Sequence, residues 1–189
     1  MNQQREFIAK LITSLESSGI PYMVTGSVCS SIHGEPRATR DIDIIIDPTE
    51  QQLRAFVRMI GEDYYCSEEA AQDALTRRFM FNVIDALSGW KADLIIRKNT
   101  PFERAKFQRS QKSVFFNVPI TIATPEDTIL SKLLWSKTGD SERQLRDALG
   151  VALVQWETMD WEYLHRWAPE LGVEKLLEEL LREAEQLKP

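Results

Sequence analysis

Every stretch of this sequence with strand character lies before residue 124, and every segment after it has helical periodicity. That change of character sets the fold class: an α+β core with a mixed sheet over 1–123, followed by an all-α subdomain over 124–189. In the core, Phe7, Ile8, Leu11, Ile12 and Leu15 fall on one helical face that stops at Gly19. Tyr22-Met23-Val24 is a short apolar run ending at Thr25-Gly26-Ser27, which reads as a strand, a tight turn and a helix start. Gly34 and Pro36 mark a loop, and Asp41 to Ile46 (DIDIII) reads as a strand entering the core. Thr49 and Gln52 form a capping-box pattern ahead of a helix that buries Leu53, Phe56, Val57 and Ile60. Residues 63–76 read as irregular chain plus a short helix. Phe79 to Leu87 and Trp90 to Arg97 are expected to be strands joined by a two-residue Ser88-Gly89 turn. A short helix near 101–108 and strands at Val114–Phe116 and Ile120–Ile122 complete the core. Thr124-Pro125 is a cap followed by a first-turn proline, and helices are expected at about 125–137, 141–155, 160–169 and 173–186.

Composition narrows the class. The 189 residues are 43% hydrophobic and 28% charged, which suits an ordinary folded chain rather than a disordered one. A net charge of −6 argues against a protein dedicated to coating nucleic acid. The charge is uneven, however. Residues 97–112 carry six basic side chains against one acid, while 61–73 carry five acids and no base. The basic strip reads either as a solvated face or as a contact for nucleic acid. Two cysteines, Cys29 and Cys66, are too few for a disulfide framework and read as reduced thiols of a cytoplasmic protein. With only His33 and His165, histidine-rich metal ligation is excluded. No apolar signal core opens the chain, no apolar run approaches membrane-spanning length, and no membrane partner is expected.

The chemistry concentrates on carboxylates. Asp41 and Asp43 are one residue apart on the expected strand, so both point to one face, roughly 6.5–7 Å apart along it. Ile42, Ile44 and Ile46 then point into the core. Paired acids of this kind are tolerable when solvated or when a divalent cation sits between them. Mg²⁺ suits such a pair, because it takes oxygen ligands and keeps room for substrate phosphates. A third carboxylate on a nearby strand would complete a two-metal site, and Asp93 is the choice. With a two-residue turn at Ser88-Gly89, Asp93 lies opposite Ile84 and Asp85 opposite Ala92. The two acids then face opposite sides, and a one-residue slip would exchange them. Gly26 and Ser27, between a strand and a helix, let backbone approach a ligand and offer helix N-terminal N–H groups to a phosphate. Ser27 alone reads as a simple helix cap; it is the Asp-x-Asp following after thirteen residues that adds the phosphate reading.

Taken together, VTGSVCSSIHGEPRATRDIDIII resembles the signature of the polymerase-β-like nucleotidyltransferase superfamily: Gly-Ser, a helix and loop, then Asp-x-Asp flanked by apolar residues. Its HGxPRxTxDID variant is similar to small bacterial nucleotidyltransferases grouped with the AbiEii-like toxins of type IV toxin–antitoxin systems. TPEDTILSKLLW and SERQLRDALG resemble the helical motifs of that group, so the resemblance spans roughly 20–155. It implies that Gly26 and Ser27 hold the triphosphate of an NTP substrate. It implies further that Asp41 and Asp43 bind two Mg²⁺ ions, and that Lys132 and Asp147 line the cleft from the helical side. Asp93 matches the third carboxylate by position only.

Each of the outlying residues keeps a second reading. Asp147 lies on a helix apolar on two faces: Leu145, Leu149, Ala152 and Leu153 on one, and Asp140, Arg143, Asp147, Val151 and Val154 on the other. It is therefore expected at an interface, or in an Arg143–Asp147 pair. Lys132 is alternatively a snorkelling lysine. Arg37 and Arg40 either bind phosphate or offset the repulsion of Asp41 and Asp43. His33 reads as a packed histidine, and Trp156, Trp161 and Trp167 as core. The expected reaction moves an NMP from NTP to an acceptor hydroxyl. The acceptor is taken as RNA, such as a tRNA 3′ end, by a toxin-like enzyme with a cognate antitoxin protein. A small-molecule or protein acceptor is the alternative, as is a non-catalytic nucleotide-binding or antitoxin module of the same fold.

Overall fold

The computed structural model describes residues 2–139 and 141–188. Asp140, assigned above to the second helical stripe, lies outside them. In chain order the elements are α1 (Asn2–Ser17), β1 (Tyr22–Thr25), α2 (Gly26–His33), β2 (Asp41–Ile46), α3 (Glu50–Ile60), β3 (Tyr65–Cys66), α4 (Glu68–Arg77), β4 (Met80–Ile84) and β5 (Lys91–Ile96). Then follow α5 (Pro101–Gln108), β6 (Gln111–Phe115), β7 (Val118–Ile122), α6 (Pro125–Ser136), α7 (Ser141–Gln155), a 3₁₀ turn at Trp156–Thr158, α8 (Trp161–Glu170) and α9 (Glu174–Leu187). The chain divides into two compact units. One holds the chain up to Val24 together with Thr39–Ile122; the other holds Thr25–Ala38 together with the chain from Ala123 on.

The first unit is built on a mixed seven-stranded sheet of order β3-β4-β5-β2-β1-β7-β6. β1 pairs with β7 and β2 with β5 in parallel, while β3–β4, β4–β5 and β6–β7 are antiparallel. The apolar face of α1 is fully buried through Phe7, Ile8, Leu11 and Leu15. Its end is a Schellman motif, with Ile20 N–H bonding to the Leu15 carbonyl and Gly19 N–H to that of Glu16. The Thr49–Gln52 capping box forms, and α3 buries Leu53, Phe56, Val57 and Ile60. Ile42, Ile44 and Ile46 are buried in the sheet core. Where chain with a short helix was expected at 63–76, the two-residue strand β3 precedes α4.

The expected two-residue hairpin is not formed. β4 ends at Ile84 and β5 begins at Lys91, so a longer connection separates them. Asp85 is the reason: its carboxylate accepts from the Leu87 and Ser88 N–H groups and from the Ser88 hydroxyl, folding a side-chain turn that ends the strand early. Asp93 consequently pairs with Asn82 rather than Ile84, and Ile84 pairs with Lys91.

The second unit is helical. Thr124 caps α6: its hydroxyl accepts from Asp127 N–H at 3.3 Å and donates to the buried Asp127 carboxylate at 2.9 Å, which Tyr163 also reaches at 2.7 Å. α2 packs on both α6 and α7. This packing is close at Gly34, where an added Cβ would stand 2.7 Å from Val151 N and 2.8 Å from the Gly150 carbonyl carbon. His33, buried at the end of α2, places Nε2 2.8 Å from the Ala123 carbonyl oxygen; burial holds its ring below the usual imidazole range, against that bond and the Glu126 charge. Trp167 is buried, while Trp156 and Trp161 are half-buried and meet edge to face at 4.7 Å.

Candidate functional site

The carboxylates of the first unit share one sheet face by register. β2 and β5 run parallel with Asp43 opposite Asp93 and Asp41 opposite Lys91. In-register neighbours on adjacent strands point the same way, about 4.8 Å apart across the ladder. Alternation along each strand therefore puts Asp41, Asp43, Lys91 and Asp93 on one side, with Asn82 of β4 beside Asp93. Asp41 and Asp43 are half-buried, and Asp93 is nearly enclosed. Asp85 is not on this face; it belongs to the turn it builds.

Three residues not anticipated from the sequence occupy these carboxylates. Thr39 donates its hydroxyl to Asp41, and Asn82 donates its amide to Asp93. Lys91 Nζ stands 2.9 Å and 3.0 Å from the two Asp93 oxygens. That bond, then the charges of Asp93, Asp41 and Asp43, hold the Lys91 ammonium above its ordinary value, against the opposing effect of burial. The signal for Lys91 was present: it lies two residues before Asp93, hence on the same strand face. Arg40 is exposed, and its carbonyl accepts from Lys91 N–H at 3.3 Å.

Three carboxylates on one face suit a hard divalent cation in donor type and in backbone placement. The Asp41 side chain is turned to Thr39 and that of Asp93 to Lys91 and Asn82, and among the described residues no three His, Cys, Asp or Glu side chains converge as a metal-ligand set.

The second unit gathers the other expected residues around Asp147. Gly26 opens α2 with φ +64°, a left-handed conformation that strains any residue bearing a Cβ. Ser27, next to it, accepts a hydrogen bond from Arg37 Nη2. Arg37 grips Asp147 with Nε at 3.1 Å and Nη2 at 3.2 Å. Lys132 Nζ meets the same carboxylate at 2.7 Å, and the Ser30 hydroxyl donates to it at 3.2 Å. The Lys132 and Asp147 side chains are only 6% and 7% exposed, which makes this a buried ion pair rather than a snorkelling lysine. Burial pushes the Asp147 carboxyl up, but hydrogen bonds from Lys132 and Arg37 outweigh it and hold it below the usual range. Ser30 was missed because nothing local links it to a residue on α7.

The basic strip is less uniform than its sequence. Lys106 is buried against Glu103 at 2.9 Å, and Arg97 pairs with Asp47 at 2.7 Å. Lys98, Arg104 and Lys112 are exposed.

The fold is that of nucleotidyltransferases. The solution structure of the antibiotic-resistance factor ANT(2'')-Ia is similar over 98% of this chain and 96% of its own, with TM-score 0.58 and 12% identity. A crystal structure of ANT(2'')-Ia in complex with adenylyl-2''-tobramycin matches over 89% of this chain and 97% of its own, with TM-score 0.59 and 13% identity. A candidate nucleotidyltransferase from Thermotoga maritima matches over 78% and 93%, with TM-score 0.52 and 16% identity. No family model and no curated protein sequence matches the chain. No described helix is long and apolar enough to cross a membrane.

Proposed function

We propose that this protein transfers a nucleotidyl group from a nucleoside triphosphate to an acceptor hydroxyl. The observation that carries the reading is the register that sets Asp43 opposite Asp93, with Asp41 two residues along on the same face. Asp41, Asp43 and Asp93 are the residues to hold Mg²⁺, whose two ions supply Lewis-acid activation of the hydroxyl and charge neutralisation on the triphosphate when bound. In the reaction the acceptor oxygen bonds to the α-phosphorus, the bond to the bridging oxygen breaks, pyrophosphate leaves, and Asp93 takes the hydroxyl proton.

The remaining residues position and neutralise. Gly26 brings backbone N–H groups at the start of α2 to the triphosphate. Because Arg37 donates to Ser27 Oγ, the Ser27 hydroxyl proton is left to point at a phosphate oxygen. Arg37 and Arg40 supply positive charge for the phosphates. Asp147 acts as an anchor that fixes Lys132 and Arg37, not as a proton acceptor.

Two acceptors have support. Similarity to ANT(2'')-Ia, seen with an adenylylated small molecule, favours a small-molecule hydroxyl. The exposed Lys98, Arg104 and Lys112 favour RNA. The test is incubation with each labelled NTP and Mg²⁺, offering total RNA and, separately, a low-molecular-weight hydroxyl fraction. Label entering either fraction with wild type but not with Asp43→Asn supports the reading and names the acceptor. Binding of NTP with no transfer to any fraction would leave a nucleotide-binding module.

A further inference from the structure

We infer that Lys91 is a built-in counterion that stands in for a divalent cation on the carboxylate face and is displaced when the metal binds. This rests on the metal reading of Asp41, Asp43 and Asp93 given above. The register places Lys91 directly across from Asp41 and on the face of Asp93, among the three acids. Its ammonium engages both Asp93 oxygens, at 2.9 Å and 3.0 Å, while Asn82 donates to one of them. Both oxygens are then engaged by the ammonium, and an ammonium and a divalent ion on the same oxygen repel each other. One of the two must leave.

The geometry favours the lysine as the one that leaves. Its side chain is 39% exposed, so solvent can take the ammonium. It is a compact charge on a flexible four-carbon stem, able to swing without backbone movement. A partly exposed ion pair of this kind is weak. Lys91 thus relieves repulsion among the acids in the metal-free protein at the expense of metal affinity.

The test measures Mn²⁺ binding by the paramagnetic resonance signal of the free ion, with wild type, Lys91→Met, Lys91→Arg and Asp43→Asn, alongside melting temperature in EDTA. The expected result is about tenfold tighter Mn²⁺ binding by Lys91→Met, from loss of a competing positive charge, and near wild-type binding by Lys91→Arg. Lys91→Met should also melt lower than wild type in EDTA and gain more from Mn²⁺. Equal or weaker Mn²⁺ binding by Lys91→Met, with wild type binding and Asp43→Asn not, overturns the counterion role and leaves the metal reading standing. No Mn²⁺ binding by wild type overturns both. Should Lys91→Met not fold, acylation of Lys91 in the wild-type protein, followed by mass spectrometry, serves instead. Mg²⁺ should accelerate it severalfold, and an unchanged or slower rate refutes displacement.

Discussion

Asp43 on β2 and Asp93 on β5 are in-register partners on adjacent parallel strands, the two acids side by side across the ladder. Like charges placed directly opposite destabilise a sheet. Nothing in the packing of the isoleucine core requires either acid, since Ile42, Ile44 and Ile46 are buried on the other face. Their cost is offset in part by Lys91 and Asn82, which both engage Asp93.

Asp43→Asn should therefore separate stability from activity. Nucleotidyl transfer is expected to fall by at least about a hundredfold, while the melting temperature in EDTA is unchanged or higher. Labelled-NTP turnover and calorimetry on the same preparation check both. Near-wild-type turnover would mean the metal ligands are misassigned.

Gly34→Ala should destabilise the helical unit by about 1–3 kcal/mol, the range for overpacking a close contact. The new methyl would meet backbone of Gly150 and Val151, which cannot rotate away. Gly139→Ala is the control: nothing lies within 4 Å of its added Cβ, and no loss is expected. Urea unfolding of both variants reads the difference.

Asp147→Asn should cost about 3 kcal/mol near neutral pH, because it leaves Lys132 buried without its counter-charge. The pH dependence has a definite sign. The folded carboxyl titrates below its ordinary value, so its stabilisation is complete above the unfolded value of about 3.9 and is lost as pH falls through the lower folded value. The stability gap between wild type and Asp147→Asn should be level from neutral pH down to about 5 and shrink below about 4. A gap that instead shrinks between pH 7 and 5 would show that another group controls the pair.

Charge reversals along 97–112 should divide into two kinds. Lys106→Glu would set a buried acid beside the half-buried Glu103 and is expected to cost about 3 kcal/mol. Arg104→Glu, at an exposed site, should stay within about 0.5 kcal/mol of wild type. If RNA is the acceptor, Arg104→Glu should also lower the log–log salt slope of RNA binding by roughly 0.7 for a lost single-strand phosphate contact. An unchanged slope would remove Arg104 from the interface.

Much of this architecture was readable from local signals. Thr124-Pro125, the Thr49–Gln52 box and the isoleucine alternation after Asp41 each act within a few residues, and each forms as its pattern indicates. The expected two-residue turn at Ser88-Gly89 does not form because Asp85 captures the following N–H groups, a competition that strand propensity does not reveal. The longer connection makes Asn82 rather than Ile84 the partner of Asp93, an even slip that keeps Asp93 on the expected face. The grip of Lys132, Arg37 and Ser30 on Asp147 was not readable, because it joins segments far apart in sequence.

The helical unit takes its first piece, Thr25–Ala38, from early in the chain and the rest from Ala123 onward. On the ribosome, α2 is therefore made before the whole of Thr39–Ile122 and waits for α6 and α7, the helices that pack on it. Closing that long intervening segment costs entropy that grows only slowly with its length. The delay is thus a matter of timing more than of free energy, and nascent chains stalled before α7 emerges should expose Cys29 to thiol reagents that the finished protein excludes.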